Sequence, residues 1–324
     1  MKKRLFSQFY LILMILVFIS ASLFLTSCSG NVAGGQGPLD TATALRIVST
    51  GTQGVDTALL PNNPPSLIYD HNELNAIVEV KNHGNYPLQP EDCLVQVTGF
   101  DPNIITGGFN FQHSCAENMD QLEGKTIYNT EGGFNQIEFY SPQVILPQGV
   151  YEYNPSLNFL TCYKYHTTTS PSVCVDPLFY QVTSEQKTCL PTNVGLGGGQ
   201  GGPVGVTYVG VQMTGEKAIF EINVMNLGSG RVLSPYADLR GCGQATLERS
   251  DFDHVAYTVK MSGGSLIDCK PRDGFVPLYN NQGKIICSFS VPGTTSFQTP
   301  LIIDLDYGYM QSFQSSIKIV QQPR

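Results

Sequence analysis

A nine-residue pattern occurs twice in this chain and constrains the fold more than any other feature of the sequence. Ala76-Ile77-Val78-Glu79-Val80-Lys81-Asn82-His83-Gly84 returns as Phe220-Glu221-Ile222-Asn223-Val224-Met225-Asn226-Leu227-Gly228, and each copy is an alternating strand pattern that ends in Asn-x-Gly. The offset is 144 both from Asn82 to Asn226 and from Gly84 to Gly228. At the same offset Leu160-Thr161-Cys162-Tyr163-Lys164-Tyr165 aligns with Asp304-Leu305-Asp306-Tyr307-Gly308-Tyr309 and shares both tyrosines. Two separate anchors that keep one offset mark a tandem duplication, and a repeat governs the fold reading before any single motif.

A chain of 324 residues has room for two domains that each bury a core, and the duplication divides it accordingly. Glycine (33), proline (20), tyrosine (16) and phenylalanine (17) are plentiful, charged residues make up only 14%, and past residue 30 no long stretch repeats apolar residues at helical spacing. Short strands between turn signals, in two copies, predict an all-β chain of two tandem Ig-like Greek-key β-sandwiches behind an N-terminal hydrophobic helix. The expected division is a signal peptide or membrane anchor over 1–28, a flexible tether over 29–43, sandwiches over 44–192 and 207–324, and a Gly-rich linker over 193–206.

The address follows from the leader. Lys2, Lys3 and Arg4 precede an apolar run from Phe9 to Leu25, the pattern of a membrane-targeting segment. Its end, Leu25-Thr26-Ser27-Cys28, resembles the lipobox of prokaryotic lipoproteins, which implies cleavage before Cys28 and a lipid on its sulfur. The other reading is an uncleaved anchor, because a span of ~17–25 apolar residues crosses a bilayer. Both readings put the remainder on the extracytoplasmic face of the cell membrane, attached through its N-terminus. Without the three leader cations the formal charge moves from −8 to −11, and an acidic body repels phosphate backbones, so nucleic acid is not an expected partner.

Ala44-Leu45-Arg46-Ile47-Val48 reads as the opening strand, followed by loop chemistry over 50–65. In the repeated strand, Ala76, Val78 and Val80 share one face and Glu79 and Lys81 the other. The first half is expected to close on a hairpin, from 159–165 through Thr167-Thr168-Thr169 to 171–175, which sets Cys162 opposite Cys174. One offset later these positions are Asp306 and Lys318, outside a face that carries Tyr307, Tyr309, Ile317 and Ile319 inward. A solvent-facing disulfide in one copy would then be matched by an ion pair in the other.

Eight cysteines remain beyond Cys28, and an even number in an exported chain predicts disulfides. Geometry favours Cys162 with Cys174. Proximity suggests Cys93 with Cys115 and Cys269 with Cys287, which leaves Cys189 with Cys242 as a bridge across the linker.

Val80-Lys81-Asn82-His83-Gly84 and Val224-Met225-Asn226-Leu227-Gly228 together resemble the immunoglobulin-like domains of the cell-adhesion-related (CARDB-type) family of bacterial and archaeal surfaces. The resemblance implies a sandwich in each copy and a role as a binding or spacer module.

Reaction chemistry has little to rest on. His71, His83, His113, His166 and His254 are scattered, without HExxH or CxxC, so no metal is expected. Asp70-His71-Asn72-Glu73 and Asp251-Phe252-Asp253-His254 offer oxygen ligands for calcium but lack the Asp-x-Asp-x-Asp-Gly loop. Gly197-Gly198-Gly199-Gln200-Gly201-Gly202 has no Lys-Ser/Thr after it to meet a phosphate and reads as a spacer. No Gly-x-Ser-x-Gly occurs, and Pro155 blocks the near-sequon at Asn154. The expectation is a membrane-anchored surface protein with a structural, adhesive or ligand-binding role, no catalysis, no cofactor, and envelope proteins or glycans as partners. The alternative is an extracytoplasmic enzyme, or an accessory subunit of a secreted or envelope complex, with active residues such as His113 and Asp120 drawn from the 103–133 segment.

Overall fold

The computed structural model describes residues 40–182, 186–197, 199–243 and 247–323. A short helix, α1 (Thr41–Ser49), comes first. The first repeat then contributes β1 (Val55–Leu59), β2 (Leu67–Tyr69), β3 (Leu74–Asn82), β4 (Cys93–Thr98), β5 (His113–Ser114), β6 (Phe134–Ser141), β7 (Glu152–Tyr153), β8 (Ser156–Thr169) and β9 (Ser172–Val175). The second contributes β10 (Val194–Gly195), β11 (Val204–Thr214), β12 (Lys217–Asn226), β13 (Arg231–Leu233), β14 (His254–Met261), β15 (Ser265–Lys270), β16 (Phe275–Pro277), β17 (Gln282–Ser290), β18 (Phe297–Ser316) and β19 (Lys318–Val320).

The repeated strands are β3 and β12, and their alternation decides their burial. Leu74, Ala76, Val78 and Val80 lie inside on β3, as do Ala218, Phe220, Ile222 and Val224 on β12. β3 sits between β1 and β6, and β12 between β11 and β17, both flanked antiparallel.

Each repeated strand ends in a buried polar clamp, and the two clamps match bond for bond. Asn82 Nδ2 donates to the Tyr86 carbonyl (2.7 Å), Asn82 Oδ1 accepts from Gly84 N (3.1 Å) and from the Tyr165 hydroxyl (3.3 Å), and Tyr86 N donates to that hydroxyl (3.2 Å). In the second copy Asn226 Nδ2 donates to the Gly230 carbonyl (2.9 Å), Asn226 Oδ1 accepts from Gly228 N (3.2 Å) and the Tyr309 hydroxyl (3.0 Å), and Gly230 N donates to Tyr309 (2.8 Å). A buried amide is tolerable only when its partners are supplied, which fixes both the asparagine and its distant tyrosine. The glycine is fixed as well. A Cβ at Gly84 or Gly228 would fall onto the hydroxyl of Tyr165 or Tyr309.

The repeats are joined along one edge. β8 pairs antiparallel with β18 from Ser156 against Ser316 to Thr169 against Ile303. Lys164 lies opposite Gly308, Tyr163 opposite Tyr309 and Tyr165 opposite Tyr307. Because the repeat offset also relates Lys164 to Gly308, the same strand of each copy meets its counterpart about a local two-fold axis, the pattern of a self-complementary dimer interface. The result is an eight-stranded sheet with a main strand order of β16-β14-β18-β8-β4-β5. Tyrosine rings pack at a tilt across the join, with centroids 5.6 Å apart for Tyr163 and Tyr309 and 6.1 Å for Tyr165 and Tyr307. Aromatic pairs of this kind add about 0.5–1.5 kcal/mol each beyond their buried area.

Four expectations are corrected here. Residues 44–48 belong to α1 and not to a strand, and α1 also takes residues 41–43 of the expected tether; only Ala44 of the helix is buried. The Thr167-Thr168-Thr169 turn does not form, because β18 is long enough to pair first with β9 and then with β8, which keeps the threonines extended. Asp306 and Lys318 therefore part company: Asp306 faces His166, while Lys318 pairs with Glu152 at 2.7 Å. The Gly-rich 193–206 stretch is not a free spacer. β10 pairs with β11, Gly201 N donates to the Gly51 carbonyl, and a Cβ at Gly202 would meet the Thr167 and Tyr307 hydroxyls, so glycine is what lets this backbone pass against the tyrosines.

The disulfides follow from these pairings. Cys93 bonds Cys115 and Cys269 bonds Cys287, as proximity suggested. The expected Cys162–Cys174 and Cys189–Cys242 bonds are absent among the described residues. Cys162 bonds Cys242, with Cα atoms 6.4 Å apart, inside a small cluster of Leu160, Leu233, Ala237 and Leu239. Cys174 bonds Cys189, where the ion pair of Lys187 with buried Asp176 (2.7 Å) folds the chain back over β9. The described residues from Thr41 onward form one compact unit.

Candidate functional site

The outer face of the shared sheet gathers a mutually bonded set of reactive side chains. On β8, Tyr163, Tyr165 and Thr167 point inward, so Lys164, His166 and Thr168 point out; on β18, Leu305 and Tyr307 point in and Asp304 and Asp306 out. Antiparallel pairing sets Asp306 opposite His166 and Asp304 opposite Thr168, while β14 brings Thr258 opposite Asp304 from the other side. Neighbouring outward positions on three strands thus converge.

Their bonds are mutual. His166 Nδ1 lies 2.7 Å from Asp306 Oδ1 and Nε2 lies 2.8 Å from Thr168 Oγ1. Thr168 donates its hydroxyl hydrogen to Asp304 Oδ1 (2.8 Å), and Thr258 donates to Asp304 Oδ2 (3.2 Å). Tyr86 flanks the group with its ring centroid 5.6 Å from that of His166. Burial raises the pKa of Tyr86, and the charges of Asp92 and Asp306 push it the same way.

Carboxylate, imidazole and hydroxyl in that order form the relay used to activate a hydroxyl nucleophile. Here the hydroxyl hydrogen is directed to Asp304, so Thr168 would have to release that bond before His166 could act as its base. What the face offers as it stands is a fixed set of acceptors and donors beside the flat ring of Tyr86, suited to hydrogen-bonding a polar ligand.

The side chains singled out in the sequence are dispersed. His113 is held by Glu117 at 3.1 Å and packs on Phe139, and Asp120 is exposed and shares no hydrogen bond with it among the described residues. Asp70 accepts from Leu146 N (2.8 Å), Asp251 from Glu248 N (2.8 Å), and Asp253 pairs with Arg231 (3.1 Å), so both calcium candidates have carboxylates already engaged by protein groups. Burial, then Lys81, lowers the pKa of His83. Among the described residues no three His, Cys, Asp or Glu side chains converge as metal ligands. Cys28, the 1–28 leader and most of the 29–43 tether lie outside the described residues, and none of the described helices is long and apolar enough to cross a membrane. The one signal for the His166 group in the sequence was the alternation His-x-Thr and Asp-x-Asp; nothing local told that two strands 140 residues apart would pair.

Comparison with known proteins adds no family. No family model and no curated protein matches the chain. Among solved structures, the secreted serine protease VesC from Vibrio cholerae is similar at 10% identity and a TM-score of 0.19, over 81% of this chain and 51% of that one, a likeness too low to carry an argument. This chain thus spans about half the length of that protein. The four disulfides are consistent with an extracytoplasmic, oxidising location.

Proposed function

We propose that the chain is an extracytoplasmic module with a structural, adhesive or ligand-binding role, built as two Ig-like halves and anchored to the cell membrane at Cys28 or by an uncleaved leader. The observation that carries this reading is the join of the two repeats: one continuous sheet, tied between copies by Cys162–Cys242, makes a stiff platform whose uncovered outer positions, among them His166 and Asp306, can hold a ligand. Envelope proteins or glycans are the partners proposed. The matched Asn-x-Gly clamps support kinship with the cell-adhesion-related surface domains.

The test is a glycan array and an envelope-protein capture with the full chain, beside a His166→Ala/Asp306→Ala variant. Selective capture by the parent chain that this variant weakens supports a binding role at that face. Capture of nothing by either protein counts against the reading. Mass spectrometry of native protein tests the anchor, which requires Cys28 as a lipid-bearing first residue or an intact leader.

A second reading, an extracytoplasmic enzyme, is favoured by the Asp306–His166–Thr168 relay alone. Turnover of peptide or ester substrates, lost in Thr168→Val, would establish it.

A further inference from the structure

The two ends of the join are closed in different ways. The repeat offset turns the facing pair Asp306 and His166 into the facing pair Cys162 and Met310 on the other side of the local axis. At the Cys162 end residues 231–242 cross the outer face: β13 pairs with β18, and Cys162 bonds Cys242 among Leu160, Leu233, Ala237 and Leu239, with Met310 packed against them. At the His166 end the outer face is open to solvent, where the His166 side chain is 30% exposed and that of Asp306 52%. One end is sealed by a covalent bond and the other by side-chain hydrogen bonds.

Those hydrogen bonds fix how many protons the group holds. Asp306 Oδ1 accepts, so His166 Nδ1, 2.7 Å away, carries a hydrogen. Thr168 has one hydroxyl hydrogen, and it goes to Asp304 Oδ1 at 2.8 Å. The contact of 2.8 Å between Thr168 Oγ1 and His166 Nε2 must therefore take its hydrogen from the ring. Both ring nitrogens then donate, which only the imidazolium form can do. A carboxylate stands at each end of that cation, since Asp304 Oδ1 is also 3.8 Å from Nε2. Thr258 donates to the other oxygen of Asp304, and Ala256 of β14 lies opposite Asp306. The remaining charges around the set are Lys164 on β8, Lys260 on β14 and, beyond Tyr86, Asp92 with Glu91.

A neutral imidazole has a single N–H. With that hydrogen held on Asp306, Thr168 must either turn its own hydrogen to Nε2 and release Asp304, or stay on Asp304 and leave two acceptors facing each other at 2.8 Å. The first arrangement keeps more bonds.

We propose that the His166 group is a proton-operated switch on the ligand face, closed upon itself while the ring is charged and open when it is neutral, with Asp304 Oδ1 then free to accept a hydrogen bond from a ligand hydroxyl. The proton passes from Nε2 to solvent, the Thr168 hydroxyl hydrogen swings from Asp304 to Nε2, and no covalent bond between heavy atoms changes. Histidine is the side chain that changes charge between pH 5 and 8, so the face opens as pH rises across that range. The part of the ligand rests on the binding reading above, and the switch is the regulation of that site.

Nitrogen NMR of the full chain labelled at histidine, with the His166 signals assigned by their loss in His166→Gln, reads the ring directly. Two protonated nitrogens are expected near pH 5, and one, Nδ1, near pH 8. Asp304→Ala should lower the midpoint by about one pH unit or more, as Asp306→Ala does, although Asp304 meets the ring only through Thr168. Thr168→Ser, which keeps the hydroxyl, should retain the parent midpoint. Circular dichroism checks that these outward substitutions leave the fold in place. An Nε2 without a proton near pH 5, or a midpoint unmoved in Asp304→Ala, overturns the switch. On a glycan array the parent chain should bind about fivefold more weakly near pH 5 than near pH 8, the worth of one hydrogen bond. Equal capture at both pH values that is lost in His166→Ala/Asp306→Ala overturns the switch and keeps the binding reading. The expected NMR titration with no capture at either pH supports the switch and counts against the binding reading.

Discussion

Lys164 and Gly308 face each other across the centre of the sheet, and they are the same position of the two repeats. Everything around them is doubled by that relation. The asparagine clamps, the four inward tyrosines and the flanking strands occur once on each side of the axis. The clamp is the unit most open to test.

Replacing Asn82 by alanine strands the Gly84 N–H and the Tyr86 carbonyl, while the Tyr165 hydroxyl keeps the Gly201 carbonyl as acceptor. Each buried polar group left unmet costs about 1–3 kcal/mol. Asn226→Ala should cost a similar amount. Chemical denaturation of both variants checks this, and a midpoint shift in only one of them would break the equivalence of the copies.

Gly84→Ala and Gly228→Ala should each destabilise the chain, because the added carbon collides with the tyrosine hydroxyl that completes the clamp. Removing that hydroxyl supplies the control. In a Tyr165→Phe background the penalty of Gly84→Ala should shrink, a coupling that a double-mutant cycle reads directly.

Joint replacement of Cys162 and Cys242 by alanine removes the covalent tie between the copies. A loss of about 2–5 kcal/mol is expected from the thermal or denaturant midpoint. Cys269 with Cys287 ties adjacent strands β15 and β17, so its removal should leave the join between the copies intact.

Alkaline pH should unfold the protein through its buried phenols. Burial raises the pKa of Tyr163, Tyr165 and Tyr307 above the ordinary tyrosine value of 10.0. Below pH 10 both folded and unfolded chains keep these protons, and stability is unaffected by them. Above it the unfolded chain releases protons that the folded one retains, so stability falls as pH rises. Phenolate absorbance followed beside circular dichroism should show part of the tyrosine titration coinciding with unfolding.

Much of this architecture could be read in the sequence, and the reason is locality. The alternation of 76–82 and 220–226 sets which side chains are inside, and the inward placement of Tyr307, Tyr309, Ile317 and Ile319 follows from the same period. The Asn-x-Gly endings marked the clamp without showing what it grips, since its tyrosine lies 83 residues further along in each copy. The hairpin misreading has a similar origin. Thr167 to Thr169 looks like a turn until a partner strand arrives from the other repeat, and that arrival also moves Cys162 away from Cys174. The His166 group could not be assembled from the sequence for the same reason, as each of its strands contributes only part of it.

The join between the repeats also bears on concentration. Two separate chains meeting through that strand would come apart on dilution, since their association depends on how much of each is present. Carrying both copies on one polypeptide replaces that requirement with a fixed effective concentration. A sparsely expressed copy outside the cytoplasm would thus keep its shared sheet whole, however few neighbours it has.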